Sequence, residues 1–251
     1  MKKLVLIAHR GFSAIAPENT LAALSAAIAA PTLWYPGGVG AVEFDLQLSA
    51  DGIPVIIHDS TLDRTTNGRG LVREKSLAQL KQLSAGSWFS SQFAEEKIPT
   101  FQEALDLLKP TNLQVYAEVK QGDLWNTTSL DNFVTKILSQ GWYKRCIVTS
   151  FNDSFLQQVA IRSPDITLGF YPTTLDDYSQ KLRQATSRGN AVLLCEYHLL
   201  LAYPILIETT YQEDVDLVAW TVDNPTDLHQ LVALGVNQIV TNSLLDRQLF
   251  F

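Results

Sequence analysis

From residue 99 onward, the sequence alternates short apolar runs with longer segments of helical pattern, and this alternation constrains the fold more than any other feature. Short apolar runs are typical of strands that are buried on both faces. Strands that alternate with helices pair in parallel, because each helix carries the chain back to the start of the next strand. The alternation therefore predicts a parallel sheet covered by helices.

The number of predicted strands indicates how that sheet closes. Strands are predicted at residues 4–8, 42–48, 113–119, 146–149, 166–170, 191–194, 217–221 and 238–240. Eight parallel strands are the number that closes a (β/α)₈ barrel, the TIM barrel. A further run at residues 54–58 follows the Asp51-Gly52 turn signal. It is either an extra hairpin arm at the rim or a barrel strand, and in the second case one later strand lies outside the barrel.

The other segments are predicted as helices or as an excursion from the barrel. Helices are predicted at residues 21–30, 76–83, 101–108, 130–138, 154–161, 175–186, 205–213 and 226–234. Pro31 and the Pro36-Gly37-Gly38 run are expected to end the first helix. Residues 60–98 are polar and contain glycine, which is typical of a lid or a small subdomain. We therefore expect one barrel domain, residues 1–251, with residues 60–98 inserted after the hairpin.

Composition limits the classes of partner. The formal net charge of -7 argues against a broad nucleic-acid-binding face, because a phosphate backbone requires a basic surface. Cys146 and Cys195 lie in or beside apolar runs and are expected to be buried thiols, not a disulfide framework. The opening apolar run is too short for a signal peptide, and no run approaches the roughly 20 apolar residues of a membrane span. We expect a cytoplasmic protein without stable membrane insertion.

Acidic residues occur at the predicted carboxyl ends of the strands, where the active site of such a barrel lies. Glu43 and Asp45 alternate with apolar residues, so both carboxylates point to the same face of their strand. Glu118 lies near the end of the next barrel strand. A Glu-x-Asp pair alone is more often solvated charge, but three converging carboxylates would repel one another without a cation. All-oxygen ligands favour a hard ion, Mg²⁺ or Ca²⁺.

Two basic residues and two histidines accompany these carboxylates. Arg10 and Lys120 follow strands and can together bind the oxygens of a phosphoryl group. His9 follows the first strand, and His58 is expected roughly opposite Asp45 across the hairpin. A single histidine after a strand is usually a hydrogen-bonded structural residue. Two imidazoles at one rim can supply a general acid and a general base for phosphodiester cleavage.

At these residues the sequence resembles the glycerophosphodiester phosphodiesterase family. The matching segments, in chain order, are AHRG, APENT, EFDLQLSADGIPVIIHD, LDRTTNGRG, IPTFQEAL, AEVK and AWTVD. They span most of the chain, and the combination of His-Arg, Glu-x-Asp and a second histidine is highly specific. The resemblance implies a TIM barrel with a small insertion after the hairpin, in agreement with the pattern of predicted strands.

The resemblance also implies a role for each candidate residue. It implies divalent-metal ligands at Glu43, Asp45 and Glu118, a catalytic pair at His9 and His58, phosphate-binding residues at Arg10 and Lys120, and a pocket-wall tryptophan at Trp220. One departure is visible, because the family often ends its last strand in Thr-Asp, whereas this chain has Thr241-Asn242. We expect this change to alter a rim hydrogen bond without touching any of the assigned residues.

The implied activity is metal-dependent hydrolysis of a small glycerophosphodiester to an alcohol and sn-glycerol 3-phosphate. We provisionally take His9 as the base and His58 as the acid. The attacking group is either water or the C2 hydroxyl of the substrate's own glycerol, which would give a cyclic phosphate. Two other functions fit the same residues. One is a phospholipase D-like enzyme acting on lysophospholipids or sphingolipids, and the other is a non-catalytic barrel that binds phosphodiesters or metal as a sensor.

Overall fold

A closed ring of parallel strands forms the centre of the computed structural model, which describes residues 3–30 and 39–243. The strands in these residues are β1 (Val5–Ala8), β2 (Val39–Leu48), β3 (Pro54–Ile56), β4 (Gln114–Val119), β5 (Cys146–Ser150), β6 (Thr167–Phe170), β7 (Ala191–Glu196), β8 (Asp216–Trp220) and β9 (Gln238–Thr241). Within this part of the chain, eight of them pair in parallel in the order β1-β9-β8-β7-β6-β5-β4-β2, and the pairing of β1 with β2 closes the ring. The predicted (β/α)₈ barrel is confirmed.

The strand that begins at Pro54 is the extra arm of a hairpin. Among the described strands, β3 pairs antiparallel with β2 and with no other, so the first of the two alternatives is correct. The register places Leu46 opposite Ile56, and the Ile57 amide donates to the carbonyl oxygen of Asp45 at 3.0 Å. The residue opposite Asp45 is therefore Ile57, and the position predicted for His58 was wrong by one residue.

Helices alternate with the barrel strands. In the described residues they are α1 (Leu21–Ala29), α2 (Leu77–Leu80), α3 (Phe101–Leu108), α4 (Thr127–Ser139), α5 (Asp153–Arg162), α6 (Leu175–Arg188), α7 (Tyr197–Ala202), α8 (Ile205–Gln212) and α9 (Pro225–Ala233). Short 3-10 helices occupy Val72–Glu74, Ser91–Phe93, Gly122–Leu124 and Trp142–Lys144. The predicted stop of the first helix at Pro31 and at residues 36–38 lies outside the described residues.

Capping side chains explain where several helices begin. Thr20 accepts a hydrogen bond from the Ala23 amide and so starts α1, as the sequence suggests. Asn126 accepts from the Ser129 amide, and α4 therefore begins three residues before the predicted start at Leu130. The predicted helix at residues 76–83 is shorter, and α7 was not predicted.

Both faces of β2 are buried, and this determines where its carboxylates lie. Phe44 and the other outward residues pack against the helices, with the Phe44 ring 6.1 Å from that of Phe101 on α3. The alternate residues, among them Glu43 and Asp45, point into the barrel. The period-two pattern of this strand thus separates two buried environments, not a buried face from a solvated one.

Apolar side chains fill the barrel interior below these carboxylates. They come from around the ring and form one cluster of Ile7, Ala41, Tyr116, Ile147, Tyr171, Val192, Leu194, Val218 and Val240. A separate and larger cluster lies between the strands and the helices. A filled interior leaves the carboxyl ends of the strands as the place where polar groups converge.

Residues 60–98 form a third cluster on the hairpin. Val55 and Ile57 pack there with Leu62, Leu80 and other apolar residues of this segment. The cluster attaches residues 60–98 to the outer arm of the hairpin, beside the barrel mouth. Their description as an inserted subdomain of one domain covering residues 1–251 stays a prediction.

Burial of the cysteines and the character of the helices bear on two expectations from composition. Cys146 and Cys195 are both buried and neither forms a disulfide. Among the helices of residues 3–30 and 39–243, none combines the length and the apolar character that crossing a bilayer requires.

Gly11 fixes the loop that carries His9 and Arg10. Its φ of +78° is in the left-handed region, which side chains other than glycine rarely adopt. A Cβ atom at this position would lie 2.6 Å from the carbonyl carbon of Ala23 in α1. The turn after β1 therefore requires glycine for two independent reasons, its conformation and its contact with the helix backbone.

We predict that Gly11→Ala lowers the free energy of unfolding by more than the roughly 1–2 kcal/mol of a left-handed alanine, because backbone atoms must also move. Gly189→Ala is the matched control, since Gly189 has a φ of +70° but no described heavy atom within 4 Å of the position that a Cβ atom would take. Thermal denaturation would compare the two variants. Equal losses of stability would contradict the close contact.

Candidate active site

The carboxyl ends of the strands enclose a cavity of about 270 Å³. Its lining includes seven of the eight predicted site residues, which are His9, Arg10, Glu43, His58, Glu118, Lys120 and Trp220. The eighth, Asp45, lies beneath them and pairs with Arg10 and Lys120. A cavity of about 480 Å³ between the hairpin and α4 is larger, but its described lining contains none of these eight residues.

Three buried carboxylates converge because their strands are neighbours. The register of β2 and β4 places Asp45 beside Glu118, and Glu43 precedes Asp45 by two residues on the same face. One carboxylate oxygen from each residue lies within 4.8 Å of the others. The three residues are only 3%, 1% and 7% exposed, in the order Glu43, Asp45 and Glu118. This group of three is called the acidic triad below.

Two cations partly neutralise the acidic triad. Lys120 Nζ lies 3.0 Å from Asp45 Oδ1 and 2.6 Å from Glu118 Oε1. Arg10 Nε lies 3.3 Å from Asp45 Oδ2. Burial alone would raise the pKa of Asp45, but Lys120 and Arg10 outweigh burial and lower it.

Glu43 is the least compensated member of the acidic triad. Its Oε2 accepts a hydrogen bond from the Arg10 amide at 2.9 Å, while its buried Oε1 has no hydrogen-bond partner in residues 3–30 and 39–243. Burial, together with the charges of Asp45 and Glu118, raises the pKa of Glu43 well above its ordinary value. A buried anionic oxygen without a partner is costly, and a bound cation would remove that cost.

The donor set of the acidic triad therefore fits a divalent cation. It offers carboxylate oxygens alone, which suits hard ions that prefer oxygen ligands. Two cationic side chains against three carboxylates also leave one negative charge uncompensated if all three are ionised. The triad can hold a metal, and the chemistry of its oxygens favours Mg²⁺ or Ca²⁺.

His9 lies between the acidic triad and the end of the last strand. Its Nε2 is 4.0 Å from Glu43 Oε2, and its Nδ1 is 2.7 Å from Asn242 Oδ1. Burial and the nearby charge of Arg10 lower the pKa of His9. The expectation that Asn242 touches none of the assigned residues was therefore wrong, because strand closure brings residue 242 beside residue 9.

His58 has a carboxylate partner. Its Nδ1 lies 2.7 Å from Asp59 Oδ1, and its carbonyl oxygen accepts from Gln47 Nε2 at 3.0 Å. Asp59 in turn accepts hydrogen bonds from Arg64 at 2.7 and 3.0 Å. Those bonds from Arg64 are the main reason that the pKa of Asp59 is lowered. Asp59 is thus a firmly ionised partner for the His58 ring.

Arg64 links His58 to Arg10 on the other side of the cavity. Besides Asp59, its guanidinium donates two hydrogen bonds of 2.8 Å to the Glu18 carboxylate. Glu18 also accepts from Arg10 Nη1 at 2.7 Å. Residues 60–98 therefore supply a side chain that connects the β1 loop with the hairpin.

Asn19 orders the base of the acidic triad. Its side-chain Nδ2 donates to Asp45 Oδ2 at 2.8 Å, and its Oδ1 accepts from the Asp45 amide at 3.2 Å. Its own amide donates to the Arg10 carbonyl at 2.9 Å. The φ of 59° at Asn19 lies in the left-handed region, which asparagine tolerates better than most residues.

Aromatic rings line the opposite wall of the cavity. Tyr171 stacks on Phe151 with ring centroids 4.1 Å apart, and Trp220 meets Tyr171 edge-on at 5.8 Å. The Tyr171 hydroxyl donates to Glu118 Oε2 at 3.1 Å, so this wall also holds one member of the acidic triad. The cavity is consequently charged on one side and apolar on the other.

Several residues that shape the site were not singled out from the sequence. They are Glu18, Asn19, Asp59, Arg64, Phe151, Tyr171, Asp223 and Asn242, of which only Asn242 was remarked on. Phe151 and Tyr171 directly follow predicted strands, a signal that could have identified them. The links of Arg64 and Glu18 span 46 residues, and no local pattern predicts such a link.

Comparison with known proteins identifies relatives along nearly the whole chain. A sequence model of the glycerophosphoryl diester phosphodiesterase family matches residues 9–245. A glycerophosphodiester phosphodiesterase of Caldanaerobacter subterraneus subsp. tengcongensis is 33% identical over 242 residues, which cover 96% of this chain and 94% of that protein. A glycerophosphodiester phosphodiesterase of Bacillus subtilis is 29% identical, covering 96% of this chain and 84% of that protein.

Solved structures resemble the barrel closely. An Oleispira antarctica phosphodiesterase, solved in complex with the product sn-glycerol-3-phosphate, superposes with a TM-score of 0.83 at 28% identity and covers 98% of this chain and 95% of that chain. A glycerophosphodiester phosphodiesterase from Agrobacterium tumefaciens gives a TM-score of 0.79 at 24% identity, with 98% of both chains covered. The second likeness supports the fold alone.

We predict that the wild-type protein binds one divalent cation and that Glu43→Gln weakens this binding. The loss should exceed the roughly 10–100-fold that removal of an outer-shell partner costs, because a direct anionic ligand is neutralised. Calorimetric titration of the metal-free protein with Mg²⁺, and separately with Ca²⁺, measures the affinity. Asp131→Asn is the control, since it removes an exposed carboxylate that pairs with Arg162. Unchanged affinity in Glu43→Gln would contradict the assignment.

Proposed function

The chain belongs to the glycerophosphoryl diester phosphodiesterase family and is a phosphodiester hydrolase, and from this premise we propose that it cleaves glycerophosphodiesters to an alcohol and sn-glycerol 3-phosphate. The Oleispira antarctica relative was solved with that product bound, which supports the same product here. The observation that carries the proposal is the convergence of the acidic triad, two basic side chains and two histidines on one cavity.

The acidic triad would hold one divalent cation through Glu43, Asp45 and Glu118. When bound, such a cation withdraws electron density from a phosphoryl group and stabilises the negative charge that develops on its oxygens. Mg²⁺ and Ca²⁺ both suit these ligands. Activity that survives thorough chelation would reject this requirement.

Arg10 and Lys120 would bind the non-bridging oxygens of the substrate phosphate. Both side chains line the cavity, and each already lies against a carboxylate of the acidic triad. The planar guanidinium of Arg10 suits two phosphate oxygens at once, whereas the Lys120 ammonium acts as a point charge. Their positions are fixed in advance by Glu18 and Glu118, so little reorganisation accompanies substrate binding.

His9 is the general base in this proposal and His58 the general acid. The Asp59 carboxylate beside His58 favours a protonated ring, which can donate a proton. His9 has a neutral amide as its partner and Arg10 as a close neighbour, both of which favour a neutral ring. The two environments differ in the direction that an acid and a base require.

Each proton has a donor and an acceptor in this reaction. His9 takes the proton of the attacking hydroxyl, whose oxygen forms a bond to phosphorus. The bond between phosphorus and the leaving alcohol breaks, and His58 donates a proton to that oxygen. The attacking hydroxyl belongs either to water or to C2 of the substrate's glycerol, and the second route gives a cyclic phosphate that water must open.

The cavity also supports a small substrate. A volume of about 270 Å³ is slightly below the usual range for drug-sized ligands. The aromatic wall of Phe151, Tyr171 and Trp220 offers an apolar surface to the carbon atoms of a glycerol moiety, opposite the charged groups that would bind the phosphate. A cytoplasmic location and the absence of nucleic-acid and membrane partners stay predictions from the sequence.

We predict that His9→Ala and His58→Ala each lower kcat by roughly 10²–10⁴-fold, the usual contribution of an acid or base. A coupled assay that detects released glycerol 3-phosphate measures the effect. His229→Ala is the control, because His229 is exposed on α9. A folded His9→Ala variant with nearly full activity would reject the role of His9.

A panel of diesters is expected to identify both the substrate class and the attacking group. Small glycerophosphodiesters should be hydrolysed, and an analogue without the C2 hydroxyl should be inert if the cyclic route operates. Hydrolysis of that analogue at a similar rate would favour direct attack by water. Faster turnover of a lysophospholipid would favour the phospholipase D-like alternative, and release of no product from any diester would favour the non-catalytic sensor.

A further inference from the structure

A hydrogen-bonded relay runs from the barrel rim to His9. Asp223 lies in the loop between β8 and α9, and Asn242 directly follows β9. Asp223 Oδ2 accepts from Asn242 Nδ2 at 2.5 Å, and Asp223 Oδ1 accepts from the Asn242 backbone amide at 2.8 Å. Asn242 Oδ1 lies 2.7 Å from His9 Nδ1. The loops after the last two strands thus meet behind the proposed base.

The chemistry of these partners fixes which way the Asn242 amide points. A carboxylate can only accept hydrogen bonds, so the Asp223 side of the amide must be the NH₂ group. The oxygen then faces His9, where it also accepts from Ser13 Oγ at 2.8 Å. The orientation follows from the bonding partners, and not from the similar shapes of the two ends of an amide.

The orientation of the amide in turn fixes the tautomer of His9. Because an amide oxygen can only accept, His9 Nδ1 must carry a proton. In the neutral ring the other nitrogen, Nε2, then has a free lone pair. Nε2 is the nitrogen that lies toward Glu43 and the cavity. It is therefore the atom that can accept a proton from the attacking hydroxyl.

We propose that Asp223 is a positioning residue that selects the Nδ1-protonated tautomer of His9 through Asn242, an inference that rests on the proposed function for its catalytic consequence. Asp223 is exposed and is not among the described residues that line the cavity. It acts through Asn242 and does not touch the reacting atoms. The proposal explains why a neutral amide can serve beside the base, since a carboxylate one step away holds that amide in place.

Asp223→Asn separates this proposal from a simple loss of charge. Position Oδ1 of residue 223 accepts from the Thr241 hydroxyl and the Asn242 amide, each at 2.8 Å, so an asparagine there keeps its oxygen at that position. Its NH₂ group would then face the NH₂ group of Asn242. The Asn242 amide is expected to rotate, which places a donor against His9 Nδ1 and favours the tautomer with the proton on Nε2.

Exchanging the two residues supplies the matched rescue. In the double variant Asp223→Asn and Asn242→Asp, the new asparagine donates to the new aspartate and still accepts from Thr241 and the backbone amide. The new aspartate accepts from His9 Nδ1 and from Ser13. Every hydrogen bond of the relay is kept, although the negative charge has moved one residue closer to the ring.

The tautomer can be read directly, without any assay of activity. The chain contains four histidines, so ¹⁵N-histidine labelling gives few ring signals, and a His9→Gln variant identifies those of His9. Two-bond couplings between ring protons and nitrogens distinguish the two neutral tautomers, measured on the full chain without added metal. We expect a proton on Nδ1 in the wild type, a shift toward Nε2 in Asp223→Asn, and a return to Nδ1 in the double variant.

Kinetics give the second measurement. We expect kcat of Asp223→Asn to fall roughly 10- to 100-fold with little change in KM, less than the about 10⁴-fold loss from a wrong tautomer in a serine protease triad, because His9 can still sample the productive form. The double variant should recover most of kcat. Asp227→Asn is the control, because it removes a nearby carboxylate that accepts from Tyr197 and lies outside the relay. Thermal denaturation checks that each variant is folded.

Several outcomes would overturn the proposal. They are an unchanged His9 tautomer in Asp223→Asn, a proton on Nε2 in the wild type, and a double variant no more active than Asp223→Asn. An equal loss of kcat in Asp227→Asn would show that charge alone matters. If the wild-type protein hydrolyses no diester, the proposed function fails, but the ring spectra still decide whether Asp223 selects the tautomer.

Discussion

The mutual repulsion of three buried carboxylates is the constraint on which the rest of the site depends. Glu43, Asp45 and Glu118 are nearly inaccessible to solvent, and an unbalanced group of this kind would be strongly destabilising. Lys120 and Arg10 compensate part of the charge, and the orphaned oxygen of Glu43 shows where compensation is still incomplete. The same imbalance that costs stability gives the site its affinity for a cation and, together with the two basic side chains, for a phosphate.

A surrounding layer of hydrogen bonds keeps these groups in place. Arg64 joins Asp59 to Glu18, and through them it connects His58 with Arg10. On the other side, Asp223 and Asn242 hold His9. The two histidines therefore have different supports, a carboxylate for one and an amide for the other. This asymmetry gives two chemically identical side chains different proton affinities, which a reaction with one acid and one base requires.

Much of the fold and of the site could be predicted because the signals are local. The alternation of strands and helices implied the barrel, and the period of two along β2 placed Glu43 and Asp45 on one face. The hairpin register was wrong by one residue, since the turn and not the hydrophobic pattern sets the pairing of a three-residue arm. The start of α4 was misplaced because the capping side chain of Asn126 lies outside the apolar pattern that was used.

The sequence by itself determined which residue types stand at the ends of which strands, because strand spacing is a covalent property of the chain. Only the tertiary structure decided their partners. His9 and Asn242 are 233 residues apart and meet because β1 pairs with β9, and Arg64 reaches Glu18 because residues 60–98 fold back over the hairpin. Closure of a ring joins the first strand to the last, and no periodicity along the chain records which side chains that closure brings into contact.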